Sequence, residues 1–285
     1  MSLDSDNISS AISKFYPGTM ISSLTEEGDI HSMVSAGVLV EKGQERRLTS
    51  SWHNWENQAA KFPGKFERID DDAEAQKIFR ASQGVTADGH AGTTVGFVVK
   101  RMGPTDIALL QLEPGVAFDN TFMEVEASPK KLCRSEETRV GDLFFIDSYA
   151  TALQQLMGLG KRAALSRPRR AVAHPELYAP AGHHDKLPPD NITYIRIKHG
   201  VYSMEAPVIK SKPQIRGSAC GSVLLRYKDM KKHMADVLKD GEIFGMMHLT
   251  DLQQKHREST GNASAFLVYA DSFDPLIEDG WAIAN

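Results

Sequence analysis

Cysteine is scarce in this chain: Cys133 and Cys220 are the only two in 285 residues. Two thiols cannot supply a disulfide framework, and one bridge between them would leave no free thiol. Either reduced cysteines in an intracellular, cytoplasmic setting, or the mature part of a longer chain, is therefore expected. Long apolar runs are missing too, since charge interrupts each within about ten residues, short of a helical membrane span. Charge of one sign is not in excess. A net charge of −4 is too weak to make nucleic acid or an anionic membrane the expected partner. The N-terminus, MSLDSDNISSAISKFYPG, lacks the basic start and apolar stretch of a secretory signal. There is no internal repeat and no low-complexity linker. What remains is an ordinary globular composition, 41% apolar and 25% charged, long enough to bury a full core in one large β domain or two smaller ones.

The pattern along the chain is one of short strands. Residues 1–29 are polar, with a Pro17-Gly18 turn, and are expected to form an arm with a short helix. Residues 33–40 read as a strand, 41–46 as a Gly-containing turn, and 47–51 as the returning strand of a hairpin. That hairpin delivers the chain to Trp52-His53-Asn54-Trp55. Residues 70–80 carry acids early and bases late, which suits a short surface helix. Further strands are expected at 92–101, 105–112, 142–147, 193–198, 201–204, 208–210, 222–227, 242–247 and 265–269. Residues 150–190 read as a basic, proline-containing loop and 229–239 as an inserted helix. Residues 271–285, with Phe273, Leu276, Ile277 and Trp281, read as a segment docked on the body. Many short strands between Gly and Pro turns indicate an antiparallel barrel or sandwich, all-β with minor helices.

The stretch richest in chemistry is Ile215-Arg216-Gly217-Ser218-Ala219-Cys220-Gly221-Ser222-Val223-Leu224-Leu225. Small neighbours let a substrate carbonyl approach the thiol, and glycine permits backbone angles that aim N–H groups at an oxyanion. The apolar run after it anchors the turn. A buried structural cysteine at a strand start has the same composition, so this stretch alone leaves both readings open. Two other positions bear on the choice. His53 follows a strand end, and Asp106 opens the almost wholly apolar strand Ile107-Ala108-Leu109-Leu110-Gln111-Leu112. A thiol that attacks, an imidazole that carries the proton and a carboxylate that fixes the imidazole tautomer make a complete set. His53 is expected within hydrogen-bond reach of both Asp106 and Cys220.

These residues also carry a resemblance. Thr105-Asp106-Ile107-Ala108-Leu109-Leu110 resembles the D-I-A-L-L strand that bears the catalytic Asp of trypsin-like proteases. Leu48-Thr49-Ser50-Ser51-Trp52-His53 stands in the place of their L-T-A-A-H segment. Ala219-Cys220-Gly221-Ser222 is similar to their D-S-G-G turn, with Cys for Ser as in viral chymotrypsin-like cysteine proteases. The match spans roughly residues 30–270 and also extends to uncharacterised fungal trypsin-like proteins. It implies two six-stranded antiparallel β-barrels, one over residues 30–140 with His53 and Asp106, the other over 141–270 with Cys220. It further implies an endopeptidase that acts through a thioester on protein or peptide substrates, without metal or organic cofactor. The oxyanion hole would use the backbone N–H groups of Cys220 and Ser218. Ser218 stands where the family has glycine, which favours an alternative: a weak or inactive protease-like module that binds protein segments.

The resemblance places Gln214 at the base of the specificity pocket, where an uncharged side chain does not suit Arg or Lys substrates. His248, in Phe244-Gly245-Met246-Met247-His248, stands near the G-x-H histidine that reads a Gln side chain, although a structural histidine on a half-buried strand fits as well. Ser222 or Ser218 as nucleophile is the weaker option, since Arg216 stands where a nucleophile elbow needs glycine. His174, His183, His184 and Asp185 lie in a loose, proline-rich segment without cysteine, and no metal site is assigned to them. Arg167, Arg169 and Arg170 read as a solvated loop. Cys133, among charged residues, reads as a plain surface or loop thiol. The oligomeric state is not legible.

Overall fold

The computed structural model describes residues 15–25, 27–61, 76, 79–85, 91–102, 105–122, 128–139, 142–149, 153–161, 202–205, 219–227, 241–251 and 267–285. Within these residues fifteen strands form two sheets. The first contains β1 (Met20–Leu24), β2 (Ile30–Ser35), β3 (Leu39–Lys42), β4 (Glu45–Ser51), β5 (Arg80–Val85), β6 (Ala91–Arg101), β7 (Ile107–Leu112) and β15 (Ala282–Ile283). Their order is β15-β3-β4-β7-β6-β5-β1-β2, antiparallel throughout. The second contains β8 (Lys131–Leu132), β9 (Leu143–Ile146), β10 (Gln154–Lys161), β11 (Tyr202–Glu205), β12 (Val223–Tyr227), β13 (Glu242–Asp251) and β14 (Leu267–Ser272), in the order β12-β9-β10-β11-β14-β13-β8. The helices among the described residues are α1 (His53–Lys61), α2 (Asp274–Glu278) and a 3₁₀ turn at Ser135–Glu137.

Each sheet curls back towards its own start, by a different device. In the second, β12 pairs with β9 on one side and β13 on the other, so six strands return on themselves and β8 is an added parallel neighbour of β13. In the first, β2 and β3 are halves of one bent segment. The strand expected over 33–40 breaks at 36–38 because Thr49 occupies the corner. Thr49 Oγ1 accepts the Val38 N–H at 2.8 Å, and the Gly37 N–H donates to the Thr49 carbonyl at 2.7 Å. A Cβ on Gly37 would lie 2.1 Å from Thr49 Oγ1, so only glycine fits there. One half then pairs with β1 and the other with β4.

Strand alternation feeds two apolar clusters, and both draw on both sheets. In β7, Ala108 and Leu110 enter one cluster while Ile107 and Leu109 enter the other. In β12, Leu224 joins the first and Val223 and Leu225 the second. Burial on both faces explains why these strands read as continuous apolar runs. The C-terminal segment carries α2 and pairs with the first sheet through β15. Phe273, Leu276, Trp281 and Ile283 are buried, and Asn120 clamps it by donating to the Ala284 and Leu39 carbonyls at 3.0 and 2.9 Å.

Five strands escape the sequence pattern, among them the two-residue β8 and β15. β1 lies in the segment expected as an arm, β5 is polar, and β10 contains two glycines within the expected loop. Helix α1, which begins at His53, was expected only as chain beyond a strand end. The strands expected at 193–198 and 208–210, the helix at 229–239, most of the helix at 70–80 and the histidines at 174, 183 and 184 lie outside the described residues. Cys133 is a correction: it is fully buried, because the charged neighbours turn outward while the thiol turns in.

Candidate active site

β4 ends at Ser51, and helix α1 starts at His53. The turn between them is pinned to the start of β7: the Trp52 N–H donates to the Asp106 carbonyl at 2.7 Å. Pairing of Ser51 with Ile107 across β4 and β7 brings Asp106 beside the helix start. The His53 N–H then donates to Asp106 Oδ1 at 2.7 Å, and His53 Nδ1 lies 2.8 Å from Asp106 Oδ2. The Ser51 hydroxyl also donates to Asp106 Oδ2 and sits 3.0 Å from His53 Nδ1. With Nδ1–H directed to the carboxylate, Nε2 is left as the basic nitrogen. Asp106 is sealed from solvent at 2% exposure, whereas the His53 side chain is 24% exposed and so can be reached by a ligand.

Burial alone would raise the Asp106 pKa. The positive charges of His53 and His248, with hydrogen bonds from His53 and Ser51, overcome it and hold the carboxyl well below the usual carboxylate range. Burial likewise pulls against the imidazolium of His53. The charge and hydrogen bond of Asp106, and then those of Cys220, outweigh it and lift His53 well above an ordinary histidine. Interaction with Cys220 therefore joins Asp106 in acting on the His53 ring.

Cys220 sits on a tight turn closed by the Ser222 N–H donating to the Ala219 carbonyl at 3.0 Å. Gly221 adopts φ +87°, and a Cβ there would lie 2.4 Å from the Ser35 carbonyl oxygen. The turn is fastened to both sheets. The Ser35 N–H at the end of β2 donates to the Cys220 carbonyl at 2.8 Å, and the Gly221 N–H donates to the Met247 carbonyl of β13 at 2.9 Å. The Cys220 thiol donates to the His248 carbonyl at 3.0 Å. Ser222, the alternative nucleophile, is wholly buried.

His53, Asp106 and Cys220 are thus brought together. Gln214 and Ser218 lie outside the described residues. His248 differs from a substrate-facing position: its ring is 4% exposed, with Nδ1 3.0 Å from Asp271 Oδ2 and Nε2 3.7 Å from Asp106 Oδ2. Sequence reasoning did not find Asp271 or Ser51. Asp271 lies 23 residues beyond His248 with no motif between them, and Ser51 is one of two consecutive serines. His53, Asp106 and His248 place ligand atoms close enough for a metal ion. Asp106 Oδ2 already accepts from Ser51 and His53, however, and no metal is assigned there.

No protein-family model matches the chain, and no curated protein matches it in sequence. Solved structures do. A glutamic acid-specific serine protease that uses a histidine triad in substrate binding matches over 95% of this chain and 100% of its own, at 11% identity and a TM-score of 0.51. Protease A from Thermobifida fusca matches over 95% and 98% of the two chains at 10% identity and a TM-score of 0.47. Nocardiopsis protease matches over 95% and 100% at 7% identity and 0.49. The chain has a chymotrypsin-like fold.

Proposed function

We propose that this protein is an endopeptidase in which Cys220 is the nucleophile, His53 the general base and acid, and Asp106 the group that orients His53. The observation that carries this reading is the bidentate hold of Asp106 on His53, through both its N–H and Nδ1, beside a thiol on a glycine turn. The thiol proton passes to His53 Nε2 as sulfur attacks the peptide carbonyl carbon. The carbonyl π electrons move to oxygen, and the oxyanion is met by the Cys220 N–H together with that of Ser218. Collapse expels the amine, which takes the proton from His53, and leaves a thioester on Cys220. Water then gives one proton to His53 and attacks the thioester. Release of the acid product returns that proton to sulfur. Both carboxylate and imidazolium are stabilised at the same site, as this cycle needs.

Substrates are protein or peptide segments, with Gln214 as the proposed pocket residue. A second reading, a protease-like module that binds segments without cleaving them, is favoured by one observation. The thiol is only 8% exposed with its residue and donates to the His248 carbonyl rather than pointing into open space. One experiment separates the two. Iodoacetamide alkylation is followed against pH for Cys220 and Cys133 in the wild type and in His53→Ala, followed by incubation with a peptide library. The endopeptidase reading expects Cys220 to label at neutral pH at least about tenfold faster than Cys133, to lose that advantage in His53→Ala, and to be needed for cleavage. Equal labelling of both thiols, unaffected by His53→Ala, overturns it in favour of the binding module.

A further inference from the structure

Beside Asp106 lies a second histidine–aspartate pair that the cycle above does not use, its histidine also accepting the Cys220 thiol at its backbone carbonyl. His248 on β13 and Asp271 on β14 are both buried, and Asp271 pairs in register with Met246. Asp271 Oδ2 accepts the backbone N–H of Asp106 at 2.9 Å and lies 3.0 Å from His248 Nδ1. The other ring nitrogen of His248 lies 3.7 Å from Asp106 Oδ2. Both nitrogens therefore face carboxylates. A neutral imidazole has one N–H and would aim a lone pair at one of those anions, whereas an imidazolium donates on both sides. Two buried carboxylates also need a cation. Among the described residues, the other titratable groups acting on this network are Arg101 of β6, His53 and Glu56 of α1, and Cys220 on its turn. Arg101 lies 3.8 Å from Glu56 and 5.3 Å from the Trp52 ring, and its charge also acts on Asp106 and Asp271 from further off. The His248 ring is the group in direct contact with Asp271, Nδ1 to Oδ2 at 3.0 Å.

We propose that His248 and Asp271 are positioning residues, a buried imidazolium–carboxylate pair that holds Asp106 ionised and aimed at His53 and sets the pH window of the Cys220–His53 pair. The His248 ring lies parallel to that of His53, with centroids 6.1 Å apart and planes at 14°. A positive charge there favours the Cys220 thiolate and disfavours the His53 imidazolium. Taking it away raises both proton affinities. This rests on the endopeptidase reading of Cys220 and His53.

The test is the pH profile of Cys220 alkylation by iodoacetamide in full-length His248→Gln, His248→Gln/Asp271→Asn and His53→Ala. Urea unfolding of each variant identifies the folded ones, and His248→Asn takes the place of the Gln variant should that one not fold. His248→Gln is expected to move both the acid and alkaline limbs upward by about one pH unit. In that background Asp271→Asn removes an anion, so the double variant moves back towards the wild-type profile. A pair that merely packs would instead lose more stability in the double variant and leave the limbs in place. Unmoved limbs in folded His248→Gln, or a double variant no closer to wild type than the single, overturn the proposal. His53→Ala separates the two levels. If it leaves Cys220 labelling unchanged, the endopeptidase reading falls; if it abolishes fast labelling while His248→Gln shifts nothing, the positioning role alone falls.

Discussion

The protein contains two buried thiols, each beside a basic side chain, and the proposed mechanism gives only one of them a route to becoming a nucleophile. Cys133 lies against Arg226, whose Nη1 donates to the sulfur at 3.1 Å. Arg226 is itself 6% exposed and spends its charge on carboxylates: Nη2 is 2.8 Å from Asp142, Nη1 3.5 Å from Glu242, and Nη2 also donates to the Glu137 carbonyl. Burial pushes the Cys133 thiol up to about 11, outweighing the downward pull of the Arg226 charge and hydrogen bond. A guanidinium also has no lone pair with which to take a proton. Cys220 faces an imidazole that can accept one and hand it back. What distinguishes the two sites is therefore less the presence of positive charge than the presence of a base with a proton of exchangeable position.

The largest effect in this comparison should come from the inert side. Arg226→Met leaves Asp142 and Glu242 without their buried cation, and a loss of about 3 to 5 kcal/mol is expected in urea unfolding. The labelling rate of Cys220 in the folded fraction should not move. A stable variant would mean that the cluster is more hydrated than its burial indicates.

On the active side, pH is the sharper probe. The folded pKa of Asp106 is depressed, so its contribution to stability is present above the unfolded carboxylate value of about 4 and is lost as pH falls through the lower folded value. The folded pKa of His53 is raised, so its contribution is complete below about 6.5 and is lost as pH rises through the higher folded value. Wild type should be most stable between these limits. Asp106→Asn should flatten both limbs and cost about 1 to 3 kcal/mol at the plateau. Urea titrations across the pH range check this, and an unchanged alkaline limb would dissociate His53 from Asp106. The smallest effect is expected from Cys133→Ala. It removes the contact from Arg226 and the hydrogen bond to the Arg134 carbonyl, for about 1 to 2 kcal/mol by thermal or urea unfolding, with Cys220 labelling as before.

Much of this was legible from residue order. An acid followed by Ile107-Ala108-Leu109-Leu110 is a costly sequence unless the acid has a partner, and His53 is that partner. The glycine after Cys220 pointed to a turn with positive φ, which Gly221 adopts. The supporting network was not legible, because its members meet only through sheet pairing. Nothing along the chain links Asp271 to Asp106, 165 residues earlier. Cys133 was misplaced because its charged neighbours dominate the local composition, although Leu132-Cys133 is itself an apolar pair whose sides face inward. β1 escaped because its buried Ser22 and Ser23 carry no apolar signal, their burial being made tolerable by contacts such as the Ser23–Ser32 hydroxyl pair at 3.1 Å.

The fastening of the Cys220 turn to Ser35 ties chemical competence to the history of the chain. During synthesis His53 and Asp106 leave the ribosome long before Cys220, and the Ser35 N–H has no Cys220 carbonyl to meet until the later sheet is in place. Strand β15 then pairs with β3 across more than 230 residues of sequence, so the first sheet acquires its outermost strand last. On the proposed mechanism a half-made chain would hold the base without the nucleophile, and alkylation of Cys220 would report when the later sheet has joined the earlier one.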